Sequence, residues 1–404
     1  MTSLVKPLSK HVKILLFVVL MAVAFRSLGI SIVDMGLPSF VLSLAGSLTS
    51  YGIIIGVFSI TQSIFQFPYA LASDRFGRRK IVFIGIIIYI IGTFLCFFAQ
   101  NILQLIIYRA IQGIGAYTSI LQAIIGDLFE KDQHGKGMGY YSLAMNIGYF
   151  GGIFIGGYIS NFLGFRNIFS ISGVLITVIA IFLLIALREK QNPNTLNSNY
   201  KGKEMSFNLK NIKVLFKNNQ FRFSVMLNCV RWFLFGGIVV YLIWVLQVQF
   251  LLDEIQTSYI LIGIVAIYVA FVFYSSKVLD KQGPRKMMII GQCIVVIFGI
   301  PFFIDVLIYN ITIFVVLCAV IGIGIALFDP SGNALLLEVI EDIDSELKGS
   351  GIGFNNAIGF FFGALAPMIF SFIGEFHIMA PFYLIIALML FSVIISYNCV
   401  DKCY

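Results

Sequence analysis

The sequence predicts an all-α membrane protein of twelve transmembrane helices, arranged as two similar six-helix halves. Three observations carry this expectation. Of 404 residues, 59% are hydrophobic and only 11% charged, and the mean hydropathy is +0.98, whereas soluble domains carry about 25% charged residues. The apolar residues come in unbroken runs of about 20 with no period of two, so the backbone satisfies itself in lipid as helices and not as barrel strands. A basic loop between two apolar runs also recurs half a chain later. Pro68 to Lys80 reads PYALASDRFGRRK and Ser275 to Lys286 reads SSKVLDKQGPRK. Asp74 thereby aligns with Asp280, Gly77 with Gly283 and Arg79 with Arg285, each 206 residues further on.

The first run starts near Val12, beside Lys6, Lys10 and Lys13. It has the charged head of a signal peptide, but no small-residue cleavage site closes it and its apolar character continues past Pro38, so it is read as a retained span. Spans are expected near residues 13–41, 51–72, 81–99, 102–127, 138–162, 165–187, 221–250, 256–279, 287–308, 311–338, 349–373 and 377–399. The only long polar stretch, Arg188 to Gln220, is rich in Asn and Lys. It divides the chain into a first half (1–187), a linker (188–220) with one amphipathic segment around Leu209 to Phe216, and a second half (221–404).

Other repeats share the offset within a few residues. Arg26 in span 1 corresponds to Arg231 in span 7. Gly148, Gly152 and Gly156 in span 5 keep an every-fourth rhythm that Gly359, Gly363 and Pro367 repeat in span 11. Gly113-Ile114-Gly115 in span 4 parallels Gly322-Ile323-Gly324 in span 10.

A net charge of +8 raises the possibility of nucleic acid, but the distribution of charge argues against it. Every Lys and Arg except Arg26, Arg109, Arg231 and Arg166 falls at a terminus or in the linker and loops of one side. That is the positive-inside bias, and it predicts a cell-membrane protein with both termini cytoplasmic. The six cysteines lie in or at the ends of spans without zinc or redox spacing and read as small apolar fillers. His11, His134 and His377 are scattered, so no metal site is expected. No G-x-x-x-x-G-K-[ST] loop is present, which argues against ATP as energy source. Neither a nucleophile with its base nor a carboxylate pair for hydrolysis is apparent, and no segment is long enough for an added soluble sensor domain.

The loop Asp74-Arg75-x-Gly77-Arg78-Arg79-Lys80 after the second span resembles the signature loop of the major facilitator superfamily of transporters. The family usually has Gly four residues before the Asp, where this chain has Ala70 and, in the second copy, Ser276. The run YRAIQGIGA in span 4 resembles the family's R-x-x-Q-G-x-G motif through Arg109, Gln112, Gly113 and Gly115. The stretch Ile32 to Pro38 (IVDMGLP) resembles the Asp-containing first span of its drug exporters. Gly148 to Gly157 (GYFGGIFIGG) resembles the family's antiporter motif, with Ile153 in place of the expected Pro. The resemblance covers the whole chain and is closest to twelve-span drug:proton antiporters. It implies a transporter rather than an enzyme, energised by a proton gradient, with no cofactor, no ATP and no nucleic acid. The partners are then a small-molecule substrate, protons and the lipid bilayer, and the expected state is a monomer.

Charges inside lipid cost at least ~2.5–3.5 kcal/mol each on insertion scales, so they are the first functional candidates. The family associates the motif Arg, here Arg109, with proton coupling, and Gln112 belongs to the same motif. A structural Arg pinned to backbone carbonyls is the alternative. Asp34 is the expected partner of Arg109, both lying in the outer half of the bilayer by helix rise; an interfacial, structural Asp34 is the alternative. Burial and a neighbouring guanidinium act on such a carboxyl in opposite senses, so alternating water access could load and unload a proton. Arg26 and Arg231 could hold an anionic group of the substrate, or Arg26 could pair with Asp34 while Arg231 serves packing. Asp329, next to Pro330 in LFDPSGN, is a candidate cavity residue. Trp232, Tyr241, Trp244 and Gln247 are a candidate aromatic and amide wall, against packing or interface anchoring.

Gating is assigned by the resemblance to the loop pair: Asp74, Arg75, Gly77 and Arg78 in the first copy, Asp280, Gly283 and Arg285 in the second. Asp127 matches the family's acidic partner for the loop Arg, and Asp74 is expected to meet the start of span 11. Simple topology charges are the alternative. Gly148, Gly152, Gly156, Gly157, Gly359 and Gly363 are assigned to close helix packing. The acidic stretch Glu338, Glu341, Asp342, Asp344 and Glu346 is read as a solvated face. Proton-coupled efflux of drug-like or lipophilic molecules is the first functional expectation. Uptake of an organic anion or sugar is the second, because three Arg against two Asp leave the spans net positive.

Overall fold

The computed structural model describes residues 10–129, 134–188, 209–304, 309–343 and 348–400, and it is helical throughout apart from short connections. The chain forms two compact units. Among the described residues the first takes in 10–45 and 57–188, the second 46–56 and 209–400.

The first unit opens with α1 (Lys10–Ser43), a helix long enough to cross a bilayer, and α2 (Leu48–Phe76). Gly77 alone separates α2 from α3 (Arg78–Phe97). Its backbone sits at φ 94, ψ 134, a conformation close to glycine's own territory, while its N–H still bonds Ser73 O at 3.0 Å. The second unit repeats this between α10 (Glu254–Gln282) and α11 (Pro284–Gly299), where Gly283 lies at φ 78, ψ 152. In each copy one glycine ends one helix and starts the next.

The fourth crossing departs from expectation. The single helix expected over 102–127 is two, α4 (Ile102–Ile114) and α5 (Thr118–Leu128), interrupted at Gly115 to Tyr117. The cause is crowding by α2 and α3. A Cβ on Gly113 would lie 2.4 Å from Phe58 O, and one on Gly115 would lie 2.6 Å from Gly85 O. At Gly115 (φ −70, ψ 49) the chain leaves the helix, and short bonds from Ala116 N to Ile114 O and Tyr117 N to Gly115 O replace the regular ladder. All three residues are buried, as irregular backbone at membrane depth must be. Among the described residues, eleven other helices are each long and apolar enough to cross a membrane. With α4 and α5 counted as one crossing, each unit supplies six.

α6 (His134–Leu163) and α7 (Asn167–Arg188) complete the first unit, and both pack on α1. The glycine rhythm of α6 faces α1. A Cβ on Gly148 would lie 2.0 Å from Ala24 O, on Gly152 2.4 Å from Leu28 O and on Gly156 2.8 Å from Ile32 Cα; Gly157 is buried as well. Backbones this close gain dispersion that larger side chains would prevent, which is how helices associate where lipid removes the hydrophobic drive.

The second unit begins with the short amphipathic helix α8 (Leu209–Phe216) in the expected place; linker residues 189–208 lie outside the described residues. Leu215 is fully buried, and the Phe216 ring meets Phe221 and Phe354 edge-on. α9 (Asn219–Trp244) ends in a π-helical turn, Val245–Gln249. α12 (Ile311–Ile343), α13 (Lys348–Phe376) and α14 (Ala380–Val400) follow. α9 packs on α13 much as α1 packs on α6: a Cβ on Gly236 would lie 2.2 Å from Gly363 O, and one on Gly359 would strike the Trp232 ring. The first turns of α2 group with this unit, where Thr49 N donates to the Glu375 carboxylate at 2.8 Å and Tyr51 Oη donates to Val240 O at 2.9 Å.

The packing of α6 on α1 makes a direct prediction. Gly152→Leu forces the two backbones apart and should lower stability by roughly 1–3 kcal/mol. Gly151→Leu on the same helix, where an added Cβ meets nothing within 4 Å, should leave it within about 0.5 kcal/mol. Thermal unfolding of the purified protein in detergent distinguishes the two; equal losses would refute this account of the glycines.

Candidate functional site

Of the charged residues expected inside the spans, Arg26, Asp34, Arg109 and Arg231 are buried and Asp329 is partly buried, and each unit surrounds its own with polar and aromatic side chains. In the first unit Arg109 projects from α4 and is only 1% exposed. A guanidinium cannot shed its proton, so it must be satisfied in place. Its Nη1 donates to Gln112 Oε1 at 2.8 Å, one turn further along the same helix. Gln112 Nε2 donates to Thr93 Oγ1 at 2.8 Å, and Thr93 donates to Tyr89 O at 2.7 Å on α3. The guanidinium carbon stands 4.5 Å from the centre of the Phe58 ring. The motif arginine is thus anchored through its own motif glutamine, not through backbone carbonyls.

Asp34 on α1 is 3% exposed and accepts from Tyr149 Oη of α6 at 3.4 Å. Arg109 acts on it electrostatically, but the two make no ion pair. Arg26, two turns earlier on α1, makes none either. Its guanidinium lies 5.6 Å from the ring centre of Tyr89 and 5.5 Å from that of Tyr117, whose rings meet edge-to-face. Neither of the pairings expected for Asp34 is formed in this structure. The carboxyl group is instead held by a tyrosine on the helix that the glycine stripe brings against α1.

The second unit resolves its charges differently. Arg231 Nη1 meets Asp329 Oδ1 at 2.7 Å, so two residues considered separately on the sequence form an ion pair. Asn228 Oδ1 accepts from Arg231 Nε at 3.0 Å and Nη2 at 2.6 Å, while its own amide donates to Asn355 O on α13. Tyr268 Oη donates to Asp329 Oδ2 at 3.5 Å. Pro330 follows directly within α12, and the adjacent Ser331 hydroxyl donates to Leu327 O. Trp232 borders this cluster, its ring centre 5.4 Å from the Arg231 guanidinium carbon, whereas Trp244 lies elsewhere on α9. The Trp232 ring also lies tilted against Phe360 with centroids 4.5 Å apart, and Trp244 is buried with its ring 5.0 Å from Tyr51. Tyr241 Oη donates to Ile378 O, tying α9 to the connection before α14.

Of the loop residues, Arg78 embraces Asp127 at the end of α5, Nε to Oδ2 at 2.5 Å and Nη2 to Oδ1 at 3.1 Å, a bidentate charged pair. Arg75 is exposed over the Phe76 ring. Arg285 is within electrostatic range of Glu338. The side chains of Asp74 and Asp280 lie outside the described residues, and so do Asp344 and Glu346. No cluster of potential metal ligands occurs among the described residues.

Tyr149, Tyr268, Asn228, Thr93, Tyr89 and Tyr117 were not singled out by the sequence. Asn228 carried a usable signal, since three residues before Arg231 it shares that helix face. The tyrosines carried none, because their proximity to the charges comes from packing between helices.

The second-unit pair yields a prediction. Arg231→Met leaves Asp329 Oδ1 and the Asn228 carbonyl oxygen without the donor each has in Arg231 and should cost roughly 1–3 kcal/mol. Adding Asp329→Leu should recover part of that loss. Purely additive losses across the double-mutant cycle, read from thermal unfolding, would mean that the pair is not an energetic unit.

The family model described as Major Facilitator Superfamily matches residues 19–367. An uncharacterized transporter of Buchnera aphidicola from Schizaphis graminum is 32% identical over 174 residues, which are 43% of this chain and 43% of that protein. Multidrug resistance protein 3 of Bacillus subtilis is 36% identical over 29% of this chain and 23% of its own length. The chain therefore spans less than half of these curated relatives. Among solved structures, a bacterial homologue of the human lysosomal transporter Spinster superposes with a TM-score of 0.78 over 96% of both chains at 14% identity, a likeness of fold.

Proposed function

The chain belongs to the major facilitator superfamily and is a membrane-spanning transporter, not an enzyme; from that premise we propose that it works by alternating access as a proton-coupled exporter of small lipophilic or drug-like molecules from a cell with both termini in the cytoplasm. The observation that carries the proton coupling is Asp34: a carboxyl inside a span, 3% exposed, with a tyrosine for a partner and no ion pair. Among the buried charges of the first unit it is the group able to exchange a proton, since Arg26 and Arg109 cannot.

The geometry supports a switch. With Asp34 protonated, Arg109 rests on Gln112 and the Phe58 ring, as described above. Loss of the proton creates a carboxylate beside a guanidinium whose Nε and Nη2 have no partner in this structure, and an ion pair between them becomes the favoured arrangement. Because the α4–α5 break lies three residues beyond Gln112, Arg109 can turn toward Asp34 without dragging the whole crossing. Proton binding and release thereby bias two arrangements of one helix segment. The exporter assignment draws on the antiporter-like glycine stripe and on partial likeness to a multidrug resistance protein. Uptake of an organic anion is the second reading, favoured by the net positive charge of the first unit's buried residues.

The test reconstitutes the protein into liposomes loaded with a pH-sensitive dye, imposes a proton gradient and adds lipophilic cations or organic anions. Substrate-triggered proton movement that disappears in Asp34→Asn is the expected result. Transport that is unchanged in Asp34→Asn removes this residue from the mechanism, and a response to anions alone favours uptake.

A further inference from the structure

The buried polar groups of the first unit are short of acceptors. Nε and Nη2 of Arg26, Nε and Nη2 of Arg109, Oη of Tyr89 and Oγ1 of Thr118 are all shut off from solvent without a hydrogen-bond partner among the described residues. These groups are not scattered. The rings of Tyr89 and Tyr117 touch and carry the Arg26 guanidinium between them, Thr118 follows Tyr117, and Tyr89 interacts electrostatically with both Arg26 and Arg109. Tyr117 also opens α5 at the break, and no side chain caps that helix start, whose dipole end is positive. The acidic group in this neighbourhood is Asp34, set against two guanidiniums.

The contrast with the second unit sharpens the point. Arg26 and Arg231 occupy corresponding places in the repeat. Arg231 has its carboxylate, Asp329, at 2.7 Å, and donates two further bonds to Asn228 Oδ1. Arg26 is 94% buried (6% exposed) and has ring faces alone. Two tyrosine faces ease a buried guanidinium but do not neutralise it, and they accept none of its in-plane N–H bonds. Such a site lacks an anion with several acceptor oxygens, and its aromatic walls suit one attached to an organic body.

We propose that Arg26, with Tyr89 and the opening of α5 at Tyr117 and Thr118, is the subsite for a carboxylate or phosphate group on the transported molecule, which is therefore an organic anion or zwitterion. This rests on the transporter reading, but on neither its direction nor its coupling ion. The guanidinium would take the oxygens in the fork geometry open to it, the Tyr89 hydroxyl would add a third donor, and the fixed cation would exclude molecules carrying positive charge alone.

The test uses the full chain in detergent and needs no gradient. Salicylate, phenyl phosphate, uncharged benzyl alcohol and inorganic sulfate are titrated, and the thermal unfolding midpoint is followed. The two organic anions should raise the midpoint, and benzyl alcohol should not. Arg26→Gln should weaken anion binding at least about tenfold and Tyr89→Phe about threefold. If Arg26→Gln does not fold, Arg26→Lys replaces it, with weaker but measurable binding of both anions expected. Stabilisation that is undiminished in these variants, or absent altogether, overturns the subsite, and an equal response to sulfate overturns its assignment to an organic anion. Arg26-dependent anion binding without proton movement in liposomes would sink the exporter reading and leave the subsite standing. Cation-driven proton movement without anion binding would do the reverse.

Discussion

A guanidinium in a bilayer has neither the option of losing its proton nor that of finding water, and much of this structure is arranged around that constraint. Arg109 meets it with an amide from its own helix and an aromatic face. Arg231 meets it with a carboxylate and an asparagine, and Arg26 with two phenol rings. These solutions place polar side chains deep in helices that are otherwise almost wholly apolar, and each draws in neighbours. Gln112 needs Thr93, Thr93 needs the carbonyl of Tyr89, and Asn228 reaches to the backbone of Asn355. The positions of α3 and α13 are thereby tied to charges carried on α4 and α9. Helix packing without a hydrophobic drive gains direction from such polar ties.

The glycines make the ties possible. α1 and α6 approach until backbone meets backbone, and that approach puts Tyr149 next to Asp34. The same logic bends the fourth crossing. Gly113 and Gly115 let α4 sink against α2 and α3, and the regular ladder gives way where the contact is tightest. Tyr117, freed there, faces Arg26 from a helix start instead of a helix middle. Packing and site chemistry are therefore one problem in this unit, since a larger residue in the stripe would move a hydrogen bond as well as a helix.

Much of the fold could be read from the sequence because lipid leaves few choices. Runs of apolar residues, a repeated basic loop and the side on which Lys and Arg gather prescribe helices, halves and crossings. Arg26, Asp34, Arg109, Arg231 and Asp329 stood out because a charge in such a run is rare. What stayed hidden was which charge meets which. Arg231 and Asp329 are 98 residues apart on different helices, and their pairing depends on helix rotation, which apolar periodicity does not define when every face is apolar. The break at Gly115 was hidden for the same reason. Its glycines read as a repeated motif, and only the position of Phe58 and Gly85 decides that the helix yields.

The one-residue joints at Gly77 and Gly283 have a mechanical consequence. A connection of several residues absorbs displacement as a slack tether does. A single glycine directly bonded into both flanking helices has almost no slack, so a tilt of α2 is delivered to α3 as torque, and a tilt of α10 to α11. Each pair then behaves as a crank whose stiffness resides in one pair of dihedral angles. Lengthening either joint by a few flexible residues would uncouple the arms while leaving every helix intact.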